Sequence, residues 1–135
     1  DQRFLPQIIK GCLDDNTFPT SAGEQLRDFC YIDDVVEAML LAAQSQAAQG
    51  HVINIASGQP TRIRDVIETI QAKVGRGLPL FGQHPYRKGE NMALYADVTK
   101  AKKLLGWTPK VTLDDGITQC IEHVKQTFKM KEAQS

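Results

Sequence analysis

Two arginines are the side chains of this sequence best suited to chemistry. Arg27 lies in "GEQLRDFCYIDD", a few residues after Gly23, and Arg87 lies in "PYRKGE", between Pro85 and Gly89. A guanidinium is a rigid, always-charged fork of five donors. It matches the oxygens of a diphosphate better than the point charge of a lysine does. Two such forks from separate loops could clamp one pyrophosphate. The competing reading is structural: Arg27 pairs with Asp28 or Asp33, and Arg87 is solvated, the ordinary fate of a surface loop arginine.

Nothing else in the chain supplies catalytic machinery. Gly75-Arg-Gly77 stands alone, with no Gly-x-Gly-x-x-Gly or Walker spacing around it. There is no Gly-x-Ser-x-Gly elbow and no Tyr-x-x-x-Lys. His51, His84 and His123 are scattered, without Cys or carboxylate at ligand spacing, so no metal site is expected. Cys12, Cys30 and Cys120 fit neither a disulfide framework nor a zinc pair. They read as buried thiols of a reducing compartment, which points to the cytoplasm.

The 135 residues suit one domain with a modest core, and 41% hydrophobic with 24% charged is ordinary for a globular protein. Sixteen basic residues balance sixteen acidic ones, which gives no electrostatic reason for a nucleic-acid or anionic-membrane partner. No apolar run approaches the roughly 20 residues of a membrane span. The chain starts in "DQRFLPQIIKG" without an initiator Met, and reads as a piece of something longer.

The elements that must position the arginines follow from periodicity. Leu5, Ile8, Ile9, Cys12 and Leu13 form one helical face, with Pro6 tolerated in its first turn. A short extended piece is expected near Phe18, and "RDFCYI" reads as a short buried strand. Asp33 or Asp34 is expected to cap the next helix, with Glu37 completing a capping box. Val36, Met39, Leu40 and Ala43 are its expected buried stripe. "HVINIAS" reads as a strand covered on both faces. A helix from Thr61 buries Ile63, Val66, Ile67 and Ile70 and stops at Gly75; "LPLFG" is a further strand. Asp97 caps a short helix that ends at Gly106, Trp107 is a core anchor, and Thr112 begins a last helix before a fraying tail. Asn54 is expected to tie down a turn. The class is α/β or mixed α+β.

"GEQLRDFCYIDDVVEAMLLA", "INIASG", "RKGE" and "YADVTKAKKLLGWTPKVTLDDGI" occur in an order and spacing that resemble the C-terminal part of the extended short-chain dehydrogenase/reductases. The resemblance is to the NAD-dependent nucleotide-sugar epimerases and dehydratases, such as UDP-glucose 4-epimerase and dTDP-glucose 4,6-dehydratase. It covers nearly the whole chain. It implies that residues 1–130 are the C-terminal nucleotide-sugar-binding domain with late strand and helix elements of a Rossmann-like sheet, and that 131–135 are a frayed tail.

It further implies an NAD(P)-binding half, with the glycine-rich loop and the Tyr-x-x-x-Lys pair, that these residues do not include. The chain alone is then expected to bind no cofactor and turn nothing over. By the resemblance, Arg27 and Arg87 contact the diphosphate of a UDP-, dTDP- or other nucleoside-diphosphate sugar, and Glu90 contacts the ribose. Arg3 and Pro6 line the nucleotide site, while Phe18 and Pro19 lie by the base. "FPTSAGEQ" departs there from the usual glycine-flanked aromatic turn. A strand whose sheet is mostly missing would leave edges and helix faces bare, so self-association as a dimer or swapped assembly is expected. The alternative is a free-standing α/β binding module without an enzyme attached.

Overall fold

The structure, a computed structural model, describes residues 4–134. Five helices and five short strands follow in the order α1 (Phe4–Leu13), β1 (Thr17–Pro19), β2 (Leu26–Asp28), α2 (Ile32–Gln44), β3 (Pro60–Arg62), α3 (Ile63–Val74), β4 (Leu78–Leu80), β5 (Ala93–Leu94), α4 (Thr99–Leu105) and α5 (Leu113–Gln134). The mixed α/β class is as the interleaved pattern requires. The chain divides into two compact units. One comprises residues 1–24, 62–90 and 114–135; the other comprises 25–61 and 91–113.

The first unit is built on α1 and α3. Ile8, Ile9 and Cys12 of α1 and Ile63, Val66, Ile67 and Ile70 of α3 are buried, as helical spacing dictates. Ile117 and Ile121 are the buried residues of α5. Strands β1 and β4 pair in parallel, Phe18 opposite Pro79. The helix α5 continues to Gln134, through most of the tail expected to fray.

The second unit holds a small core of Ala38, Ala101 and Trp107, flanked by Cys30, Leu41, Ile53, Ile55 and Leu105. Strands are ordered β3-β2-β5, with β2 and β5 parallel and Arg27 opposite Leu94. The β5 pairing is not among the elements that periodicity predicts. Trp107 is the anchor expected of it, 1% exposed, its Nε1 donating to the Asp34 carbonyl at 3.0 Å.

Three expectations in this unit fail, each for a physical reason. The helix α2 is capped by Tyr31 without a side-chain bond, because Asp34 lies inside the first turn and faces inward. Its carboxylate, 3% exposed, accepts from the backbone N–H groups of Lys110 and Val111 at 3.0 and 2.9 Å. The supposed buried stripe is outside: Val36 is 46%, Met39 63% and Leu40 61% exposed, and the buried positions are Asp34 and Ala38. "HVINIAS" carries no strand ladder. Ile53 and Ile55 lean on the core while Val52 and Asn54 face out, so only one face is covered. The residues have strand composition, but a ladder also needs a neighbouring strand to take its N–H and C=O groups.

Candidate functional site

In the first unit, Arg87 and Glu90 are brought together by a turn. The Glu90 N–H donates to the Arg87 carbonyl at 2.9 Å, and Gly89, third of the four residues, has φ +77°. That is a type II β-turn, whose third position demands a positive φ and so selects glycine. A β-turn holds its first and last Cα atoms within about 7 Å. "RKGE" therefore brings the backbones of an arginine and a glutamate close together. Arg87 is exposed, and its guanidinium makes no hydrogen bond or ion pair among the described residues.

The loop that carries this turn is fastened to residues 20–24. The His84 N–H donates to the Thr20 carbonyl at 2.9 Å, and the Tyr86 hydroxyl accepts from the Glu24 N–H at 3.1 Å. Residues 20–24 are themselves held down on α3. The Arg64 N–H donates to the Gly23 carbonyl at 2.9 Å, and a Cβ on Gly23 would meet the Arg64 backbone nitrogen at 2.9 Å, a contact only glycine permits. Arg62 bridges the Glu24 carboxylate at 3.1 Å and Asp65 at 2.9 Å. Those hydrogen bonds, to Asp65 first and then to Glu24, hold the Arg62 guanidinium above its usual pKa. Arg64 lies over the Phe81 ring, 4.1 Å from its centroid, and pairs with Glu68.

Phe18 and Pro19 lie on β1 in the same unit. The Phe18 ring packs so closely on α1 that a Cβ at Gly11 would come within 2.8 Å of it. Pro6 sits exposed in the first turn of α1, where a missing N–H costs nothing. Arg3 lies outside the described residues.

In the second unit, Arg27 occupies the centre of β2, half-buried, with one guanidinium nitrogen donating to the Leu26 carbonyl at 2.8 Å. The next residue, Asp28, is a tether. One of its oxygens accepts from the Ser57 N–H at 2.8 Å and the Ser57 hydroxyl at 2.6 Å, and the other from the Gly58 N–H at 2.8 Å. The turn-tying role expected of Asn54 thus falls to Ser57; Asn54 is exposed and makes no side-chain bond among the described residues. The N-cap position of α4 is Val98, without a side-chain cap bond; Asp97, expected to cap it, lies one residue earlier and accepts from the Thr99 hydroxyl and N–H, which pulls its carboxyl below the usual range.

The sequence reading did not find Tyr86 or the Glu24–Arg62 pair. The available signal was an aromatic residue inside an otherwise polar loop, which needs a partner for its ring or its hydroxyl. Among the described residues no cluster of His, Cys, Asp or Glu could hold a metal ion, and no helix is long and apolar enough to cross a membrane.

Comparison with known proteins identifies the family of this mixed α/β chain. Residues 3–120 match the family described as GDP-mannose 4,6 dehydratase, and the chain belongs to that family, within the nucleotide-sugar epimerases and dehydratases of the extended short-chain dehydrogenase/reductases. It is 36% identical over 101 residues to a UDP-glucose 4-epimerase of Mycolicibacterium smegmatis, covering 74% of this chain and 31% of that protein. It is 32% identical over 102 residues to a dTDP-4-dehydro-6-deoxyglucose reductase of Escherichia coli, covering 76% and 32%. Among solved structures it superposes on the UDP-glucose 4-epimerase of Thermotoga maritima, crystallised with UDP-glucose, with a TM-score of 0.85 and 31% identity over 93% of this chain and 40% of that one. A UDP-glucuronic acid 4-epimerase from Bacillus cereus, with UDP-glucuronic acid and NAD, gives 0.82 and 31%, over 91% and 40%. The chain spans about a third of the length of the curated relatives it matches and about two fifths of the solved chains.

Proposed function

We propose that this chain is the part of an NAD-dependent nucleotide-sugar epimerase or dehydratase that grips the nucleoside-diphosphate end of the sugar nucleotide. The Arg87–Glu90 turn carries the reading. Its backbone brings together an exposed arginine whose guanidinium makes no hydrogen bond or ion pair among the described residues, suited to phosphate oxygens, and a glutamate whose carboxylate is suited to accept from ribose hydroxyls. Arg87 is assigned to the diphosphate and Glu90 to the ribose. Arg27 is assigned to the diphosphate as well, on the strength of its place in "QLRDF". Pro6, Phe18, Pro19 and, by sequence, Arg3 are assigned to the nucleotide side. That solved relatives hold UDP-glucose or UDP-glucuronic acid supports the choice of ligand class.

A nicotinamide cofactor supplies hydride transfer in such an enzyme. The 135 residues contain no glycine-rich strand-to-helix loop and no Tyr-x-x-x-Lys pair to fit it, so no step of that chemistry is assigned to them. Their work is remote binding, which orients the sugar at the reacting centre. A charge-assisted contact of the Arg87 kind contributes about 1.5–3 kcal/mol.

Calorimetric titration of the chain with UDP-glucose, and then with dTDP- and GDP-sugars, tests this. Arg87→Ala is expected to weaken binding at least about tenfold, the equivalent of about 1.4 kcal/mol. Equal affinity of wild type and variant returns Arg87 to a solvated surface residue and overturns the assignment.

We also propose that the chain self-associates through its second unit. Ile32, Val36, Met39 and Ala43, all exposed, recur at spacings of four, three and four, the pattern of a helix–helix seam. Thirteen helical residues span only about 20 Å, so the association is expected to be weak and concentration-dependent.

A further inference from the structure

We propose that Tyr86 is a positioning residue for the Arg87–Glu90 turn, and through it an affinity determinant for the diphosphate; the inference rests on the assignment of Arg87 as a ligand. Of residues 82–89, Tyr86 alone is half-buried and the others are exposed. Its hydroxyl accepts from the Glu24 N–H, across 62 residues of sequence, and it is bonded directly to Arg87 in the chain. The other end of that hydrogen bond is held by further contacts. Glu24 is locked by Arg62 through its carboxylate at 3.1 and 3.2 Å, and the preceding Gly23 is pressed on the first turn of α3.

The loop is therefore pinned at His84 and Tyr86, immediately before the turn begins. An exposed guanidinium on an untethered loop samples many orientations, and ordering it on binding would cost conformational entropy. The Tyr86 hydroxyl removes part of that freedom beforehand. It does so at the polypeptide backbone next to Arg87, without itself needing to touch the ligand.

The test is a double-mutant cycle on the full chain, titrated with UDP-glucose: wild type, Tyr86→Phe, Arg87→Ala and the double variant. Tyr86→Phe keeps the ring and removes only the hydroxyl, and the Glu24 N–H it releases lies at the surface, where water replaces it. Its melting temperature is expected within about 2 °C of wild type. Its affinity is expected to fall about three- to tenfold, while the same change on the Arg87→Ala background alters affinity less than about twofold.

If Tyr86→Phe binds as wild type while Arg87→Ala is weakened, the positioning role is wrong and the ligand assignment stands. If Tyr86→Phe weakens binding equally on both backgrounds, Tyr86 acts independently of Arg87 and the inference is overturned. If the wild type binds no UDP-glucose, or neither variant changes affinity, the ligand assignment fails and takes this inference with it.

Discussion

On α1 and α3 of the first unit the largest apolar side chains face inward; on α2 of the second, most of them look out. The helices α1 and α3 bury Ile8, Ile9, Ile63, Val66, Ile67 and Ile70, and leave polar residues outside. The helix α2 buries Asp34 and Ala38 and exposes Ile32, Val36, Met39 and Leu40. Beside this, Ile53 and Ile55 reach the core while the backbone of residues 51–55 pairs with no strand. The helices α1 and α3 thus satisfy their own hydrophobic pattern. The second unit keeps its pattern but leaves it half covered, and depends on one tryptophan and one buried carboxylate for its internal order.

That dependence can be broken at its strongest point. Trp107→Ala is expected to cost about 3–5 kcal/mol, the range for truncating a fully buried aromatic residue, and to strip amide protection from α2 and α4 in hydrogen exchange. Wild-type protection in both helices would show that the core of the second unit lies elsewhere. Asp34→Ala comes next, at about 2–4 kcal/mol, because it strands the N–H groups of Lys110 and Val111 without an acceptor. A cost under about 0.5 kcal/mol by urea titration would mean that water reaches those groups and the buried carboxylate is dispensable.

The same contrast explains what the sequence could disclose. The stripe Ile63, Val66, Ile67, Ile70 was legible because periodicity reports burial wherever a helix covers its apolar face with its own chain. The stripe Val36, Met39, Leu40, Ala43 has equally good periodicity, and the inference that it is buried failed because periodicity does not say what does the burying. Asp34 was legible as structural but not in its role, since a carboxylate at the third position of a helix looks like a cap until the distant loop at 110–111 is known. At the candidate site, Arg87 and Glu90 were assigned through the resemblance carried by "RKGE", while the turn that joins their backbones was not read from the sequence. Tyr86 escaped because its partner is a backbone N–H 62 residues away, which leaves no trace in local spacing.

If the bare face of α2 is what separates the units, charging it should change behaviour without touching the core. Met39→Glu is expected to abolish concentration-dependent self-association in light scattering, while the circular dichroism spectrum and melting temperature stay close to wild type. A wild-type chain that stays monomeric at the highest attainable concentration, or a Met39→Glu chain that still associates, removes α2 as the contact.

The smallest expected effect separates the units by the way each treats a thiol. Burial alone pushes Cys12, in the first unit, above the usual thiol range. Cys30, in the second, is pushed up to about 11, first by burial and then by the charges of Asp34 and Asp28. A thiol that keeps its proton longer in the folded chain stabilises it fully below the unfolded value near 9, and that contribution is lost as pH rises from there through about 11. At pH 8 the thiolate fraction of Cys30 is then about a hundredfold below that of a free cysteine. Because reagent attacks the thiolate, iodoacetamide labelling followed by peptide mass spectrometry should find Cys30 slow in the folded chain and fast in urea. Added salt screens the two carboxylates, so it should speed Cys30 modestly and leave Cys12 unchanged. Labelling of Cys30 at the free-cysteine rate at pH 8 would show that the second unit neither buries this thiol nor holds both aspartates charged beside it.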